Sequence, residues 1–342
     1  MINRINILFT YLFLLVPLFL ITGPAIPDII ITFGGIFGIL WIVFKNRDYN
    51  LIKNNFVIVS IVFWLGLIFT SFFSLDFEKS IQDSSIFVRY LLIPICCYFL
   101  FFYSKSLFNR LLLLILILST FVCIDTLFQF FNYSTQHGFG KDILGFKSDW
   151  YGRLTGPFGK ELIPGSYVSK FGLVGFAYLL INKNIKYNLF YRISYLTLIL
   201  VVCFVSGERM AFATYLMGLF LLLFFLDKER ISLILSIFIG LLSIIIILKF
   251  HPFYNDYKTL ESTEYHQGLK VEKSFKCEND DKKICSKIVN LQPSFYEVLQ
   301  NFPTSAYGEI YILGFQMFKD NPITGIGLSN YKYLCEQNIK YK

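Results

Sequence analysis

Charge is scarce in this chain: Asp, Glu, Lys and Arg make up 16% of its 342 residues, where an ordinary soluble domain carries roughly 25%. Histidine is scarcer still, with only three, and His137, His251 and His266 fall in no metal-ligand or triad spacing. None of the seven cysteines stands with histidine in a zinc pattern. There is no P-loop, and Gly325-Ile326-Gly327 follows no strand-like run and lacks the third glycine of a dinucleotide fingerprint. The chain therefore shows no ATPase, nucleotide-sugar or zinc site. The net charge of +8 lies mostly in short connectors and forms no basic stripe interleaved with exposed aromatics, which argues against a nucleic-acid partner. Internal repeats and low-complexity tracts are absent. The first apolar block, Ile5 to Ile21, lacks a small-residue cleavage site, so it reads as a retained span and not as a signal peptide.

What is abundant is apolar sequence. Hydrophobic residues reach 55%, with 40 Phe and 22 Tyr, and they come in blocks that approach the ~20 residues a helix needs to cross a bilayer. The fold class expected is all-α, a polytopic transmembrane helical bundle of about nine helices within residues 1–249. Spans are placed at about 5–22, 26–44, 56–74, 86–103, 111–131, 163–181, 191–205, 210–226 and 231–249. Lys and Arg cluster in alternate connectors: Lys45, Arg47 and Lys53; Lys105 and Arg110; Lys183, Lys186 and Arg192; Lys228 and Arg230. The positive-inside rule then sets the N-terminus in the cytoplasm. Loop 132–162, turn 206–209 and the segment 250–342 fall on the opposite side. Within that last segment, Ala306 to Lys319 reads as an amphipathic helix with Ile310, Leu313, Gly314, Met317 and Phe318 on one face. It is too short and polar to span, and lies on the membrane surface or lids a cavity.

Ser206-Gly207-Glu208-Arg209, wedged between two apolar spans, is the first candidate for chemistry. Two readings remain open: charges resting among headgroups, or an anion clamp in which the planar donor fork of Arg209 meets phosphate. Arg153 is the second, set before a Gly-Pro-Phe-Gly run that fixes the backbone and leads to Glu161 at the mouth of a span. Arg89, Asp125 and Lys170 are ionisable residues inside spans, where polar pathways and binding sites concentrate. Snorkelling accounts for Arg89 and Lys170; Asp125 is too short for that and pairs inside the bundle. Cys96, Cys97, Cys123 and Cys203 read as small packing residues. Cys277 and Cys285 share a compartment that permits a disulfide, which is favoured over free thiols.

In order and sidedness these pieces resemble the O-antigen ligase and O-antigen polymerase family of bacterial envelope enzymes. The likeness rests on Gly152-Arg-Leu-Thr-Gly-Pro-Phe-Gly-Lys-Glu161, on Ser206-Gly-Glu-Arg-Met-Ala-Phe212 and on Asn321-Pro-Ile-Thr-Gly-Ile-Gly-Leu-Ser-Asn-Tyr331. The resemblance implies a GT-C-like bundle in the bacterial inner membrane, active at its periplasmic face in lipopolysaccharide biosynthesis. It implies a metal-independent glycosyltransferase without cofactor. The donor would be an undecaprenyl-pyrophosphate-linked glycan and the acceptor lipid A-core (ligase) or another glycan (polymerase), with membrane lipids as the other partners. Arg209 and Arg153 would bind the pyrophosphate, supported by Glu208, Glu161 and Arg89.

One departure stands out. The family pattern continues past the Gly-x-Gly turn to a His-Asn segment bearing the proposed base, whereas this sequence ends at Tyr341-Lys342. Either the chain is C-terminally truncated, which is favoured and would leave it inactive as written, or the base lies elsewhere. A transporter or flippase of a lipid-linked or anionic solute is the competing reading, with Arg89, Asp125 and Lys170 along its path. It predicts an inverted repeat, and none is found. A membrane scaffold would leave the arginines unexplained.

Overall fold

A computed structural model describes residues 11–41, 55–94, 105–135, 137–182, 186–258, 269–277, 280–291 and 300–337. In chain order the helices are α1 (Val16–Thr22), α2 (Ala25–Trp41), α3 (Asn55–Ser71), α4 (Phe77–Ile86), α5 (Val88–Leu91) and α6 (Lys105–Phe131). Three two-residue strands follow, β1 (Tyr133–Ser134), β2 (Gly138–Phe139) and β3 (Trp150–Tyr151). Then come α7 (Pro164–Ile181), α8 (Asn188–Val205), α9 (Arg209–Phe225), α10 (Arg230–Phe250) and α11 (Pro252–Lys258). The chain closes with β4 (Leu269–Cys277), β5 (Asp280–Leu291), α12 (Ala306–Asp320) and α13 (Tyr331–Gln337). Among the described residues, three helices are long and apolar enough to cross a membrane: Ser106–Phe131, Asn188–Val205 and Asp227–Phe250. Shorter apolar helices occupy Ala25–Leu40, Val57–Ser71 and Arg209–Phe225. The chain is an all-α polytopic membrane protein.

Two compact units emerge, one of Met1–Phe108 with Asn301–Lys342, the other of Asn109–Gln300, a division that does not fall at residue 249. In the first, α1 and α2 are separated at Gly23-Pro24, and α4 starts where the Asp76 carboxylate accepts the Lys79 N–H at 3.1 Å, a helix cap. Arg89 on α5 bridges to Asp28 on α2 at 3.0 Å. The fourth expected span, 86–103, begins with the short α5, and its residues 95–103 lie outside the described residues, as do residues 5–10 of the first.

In the second unit α8 is the central helix, packed against α7, α9 and α10. Leu196, Ile199, Leu200, Val202 and Cys203 are fully buried along it. Lipid tails are as apolar as leucine, so close packing and interhelical hydrogen bonds hold such a bundle together. The bonds are present: Ser119 Oγ pairs with Tyr195 Oη at 2.7 Å, Tyr215 Oη donates to the Leu196 carbonyl at 3.2 Å, and Thr197 Oγ1 to that of Ser236 at 3.2 Å. β4 and β5 form an antiparallel hairpin, and β3 pairs in parallel with the end of β5, Trp150 opposite Asn290 and Tyr151 opposite Leu291. This small sheet was not anticipated within the helical reading. Its register sets Cys277 opposite Asp280 and Cys285 opposite Phe275, so the backbone does not present the two cysteines as a facing pair.

Arg192 ties the other end of this bundle. Its Nε and Nη2 donate to the Leu179 carbonyl of α7 at 3.3 and 3.0 Å, and Nη1 pairs with Glu229, the residue before α10. Both side chains are close to nine-tenths buried. A cation on the last carbonyls of a helix is favourable, and removing one member of a buried pair strands the other. We therefore expect Arg192→Ala to cost about 3–5 kcal/mol, read as a lowered unfolding midpoint in detergent. Asp227→Ala, which breaks the exposed Asp227–Arg230 pair, should cost under about 1 kcal/mol.

Candidate functional site

Between α8 and α9 the chain turns at Ser206, Gly207 and Glu208. Gly207 has φ +78°, a backbone state that residues with a Cβ rarely adopt. A Cβ there would also strike the Gly152 carbonyl oxygen and come within 3.3 Å of Arg153 Cδ. The Leu154 N–H donates to the Ser206 carbonyl at 3.1 Å. The Arg153 loop is thus docked directly on the turn that precedes Arg209, the first residue of α9.

Glu208 faces inward and is only 8% exposed. Its carboxylate accepts the Ser166 backbone N–H at 3.1 Å and the Ser166 hydroxyl. Ser166 is the third residue of α7, so Glu208 caps a helix distant in sequence, where unpaired N–H groups and the helix dipole favour an anion. Burial raises the Glu208 carboxyl above its usual value, opposed by the Ser166 bonds and the nearby positive charge of Arg153. Arg153 is half-buried, and its Nη2 donates to the Leu162 carbonyl at 2.6 Å, just ahead of α7. One carboxylate and two guanidinium-bearing residues are therefore organised around two helix starts. Glu161 lies exposed at the mouth of α7, and Lys170 is exposed on that helix. Arg89 belongs to the other unit, where it is held by Asp28 and donates to Tyr90 Oη at 2.9 Å.

Beneath the Arg153 loop sits a residue the sequence reading passed over, Gln129 of α6. Fully buried, its Oε1 accepts the N–H groups of Thr155 and Gly156, both at 3.0 Å, while Nε2 donates to Thr155 Oγ1 at 3.0 Å. A glutamine six residues after Cys123 in an otherwise apolar span was the available signal, because an amide in lipid must find partners. Asp125, one turn earlier, accepts the Ile143 N–H at 2.9 Å and so fastens the same loop. On the far side Tyr151 pairs with Tyr133, which donates to Asp256 at 2.7 Å. His251 stacks on Phe130 at 4.0 Å, and burial lowers its pKa. Its Nδ1 accepts the Phe253 N–H at 3.3 Å. This histidine is a packing residue. His266 lies outside the described residues, and among those described no group of three or more His, Cys, Asp or Glu could hold a metal.

A helical membrane bundle carrying an arginine-bearing loop locked on an arginine-bearing turn defines a polytopic membrane protein. Residues 194–342 match the family model described as O-Antigen ligase, so this part of the chain is similar to that family. The match takes in the Ser206–Arg209 turn, and Arg153 lies ahead of it. No curated protein and no solved structure matches the chain.

The raised Glu208 carboxyl has a sign that can be checked. Between the ordinary glutamate value and the raised folded one, the folded state holds more protons, so stability falls as pH rises through that window. Glu208→Gln keeps an acceptor for Ser166 and removes the titration. We expect its unfolding midpoint in detergent to equal or exceed the parent's at neutral pH with a flatter pH profile, whereas Glu208→Ala should lose about 1–3 kcal/mol. Gly207→Ala, strained and sterically blocked, should lose a similar about 1–3 kcal/mol.

Proposed function

We propose that this chain transfers a glycan from an undecaprenyl-pyrophosphate carrier to lipid A-core at the periplasmic face of the inner membrane. The observation that carries the reading is the docking of residues 152–154 on residues 206–207, which brings the backbones that bear Arg153 and Arg209 together. In the transfer an acceptor hydroxyl oxygen bonds to the anomeric carbon as the bond from that carbon to pyrophosphate breaks. The bonding electrons leave on a phosphate oxygen, and the hydroxyl proton passes to a base or to solvent. Negative charge therefore grows on the pyrophosphate, and pre-placed arginine forks stabilise it where it develops. The leaving group is already activated, so no nucleotide is consumed.

Supporting roles follow from burial. Glu208, closed in against α7, orients the turn and lies too deep to meet sugar hydroxyls. Glu161, exposed beside the same helix start, is placed to meet them. Arg89 serves its own unit through Asp28.

The test uses a bacterial strain that makes the lipid-linked glycan and lacks its own ligase. Expression of this chain should restore glycan-bearing lipid A-core on gels. Arg209→Ala and Arg153→Ala should each lower attachment by about 10²–10³-fold while leaving protein in the membrane, and Arg→Lys should recover only part of it. Long glycan chains on the carrier with no attachment to core would assign polymerisation instead. Attachment unchanged in both alanine variants would remove the arginines from the site.

A further inference from the structure

α12 is apolar on two sides. One side is closed: Leu313 and Met317 pack with Leu334, Tyr331, Cys335 and Ile326, and Met317 is 1% exposed. Tyr311, Phe315 and Phe318 recur at i, i+4 and i+7 on the opposite side, each more than half exposed, and Ile323 just beyond the helix is 88% exposed. Phe318, which the sequence grouped with Leu313 and Met317, belongs to this open side. Lys319 rests its ammonium over the Phe315 ring at 4.6 Å.

The height at which this face sits is fixed within the same unit. Asn330, 1% exposed, accepts the Asp76 N–H on Oδ1 at 2.9 Å and donates Nδ2 to the Asp76 carbonyl at 3.4 Å. Gly327, at φ +78°, approaches Ser74 and Ser80 so closely that a Cβ would lie 2.5 Å from Ser74 Cβ. Both anchor points lie just past Ser71, where apolar α3 ends. Around that end Phe72, Phe73, Leu75 and Phe77 are exposed, an apolar rim that extends the lipid-compatible surface of α3 beyond its last turn. The open face of α12 belongs to the same unit as this apolar rim.

We propose that α12 is a membrane-surface helix whose Tyr311, Phe315, Phe318 and Ile323 face is buried in lipid, with Gly327 and Asn330 as the clamp that sets its depth. A helix seated in this way buries its apolar side roughly 5–10 Å into the boundary between headgroups and acyl chains. Lys319, with its ammonium over the Phe315 ring, sets a positive charge beside this face. The occupant is the bilayer itself, and the inference is independent of which glycan is transferred.

The experiment places a single tryptophan on the open face, Phe318→Trp or Ile323→Trp, in the full chain reconstituted in phosphatidylcholine nanodiscs. Emission in excess of the parent's three tryptophans is followed. Acyl chains brominated near the headgroup should quench that excess more than chains brominated at the bilayer centre, and aqueous iodide should leave it unchanged. Adding Asn330→Ala should weaken the lipid quenching as the helix loses its fixed depth. Quenching by iodide but not by bromolipid would mean a water-facing surface and overturn the proposal. Protection from both quenchers would mean a protein cover, a lid contact or a second copy, and would overturn it as well. Lipid quenching unchanged by Asn330→Ala would overturn the clamp.

Discussion

The bond on which the candidate site depends is the reach of Glu208 across to Ser166. A carboxylate buried among helices is costly unless it is hydrogen-bonded, and here the N-terminus of α7 supplies the donors. That one contact fixes the start of α9, because Glu208 immediately precedes Arg209. It also fixes the start of α7, which follows the carbonyl that holds Arg153. The glycine between Ser206 and Glu208 lets a second backbone lie against the turn. The two arginine-bearing segments are therefore placed by backbone geometry and by a carboxylate, and neither relies on a flexible side chain to find the other.

Much of this was legible in the residues. Blocks of leucine, isoleucine and phenylalanine mark helices directly, since a bilayer admits few other backbones, and α6 to α10 fall close to where those blocks lie. Arg153 and the Ser206–Arg209 turn stood out as charge where charge is expensive. What the sequence concealed was direction. Nothing in Ser-Gly-Glu-Arg says that the glutamate turns inward to cap a helix 42 residues earlier. Gln129 was hidden because an amide in a span is less conspicuous than a charge, although its hydrogen bonds must be met just as fully. The β4–β5 hairpin escaped for a different reason: its lysine-rich strands alternate weakly with Leu269, Val271 and Phe275, and no apolar block announces them.

The two units solve one problem by different means. In the second, polar side chains inside the bundle are answered by neighbouring helices, as with Ser119 and Tyr195 or Tyr215 and Leu196. In the first, Ser71, Ser80 and Ser84 bond to one another at a helix end, and Trp64 donates to the Ser84 carbonyl. Small hydroxyls permit close approach and still satisfy each other. A glycine and an asparagine from far along the chain can dock on that cluster with little more than backbone to recognise.

The parallel pairing of β3 with the end of β5 orders events in time. Tyr151 is bonded opposite Leu291, and Gly152 and Arg153 follow at once in the chain. A ribosome has therefore inserted α6 through α10 well before the strand partner of the Arg153 loop has been made. During that interval the loop carries an open strand edge. Closing so long a sequence separation is slow compared with helix formation, so the Arg153 loop takes its final form after the helices around it.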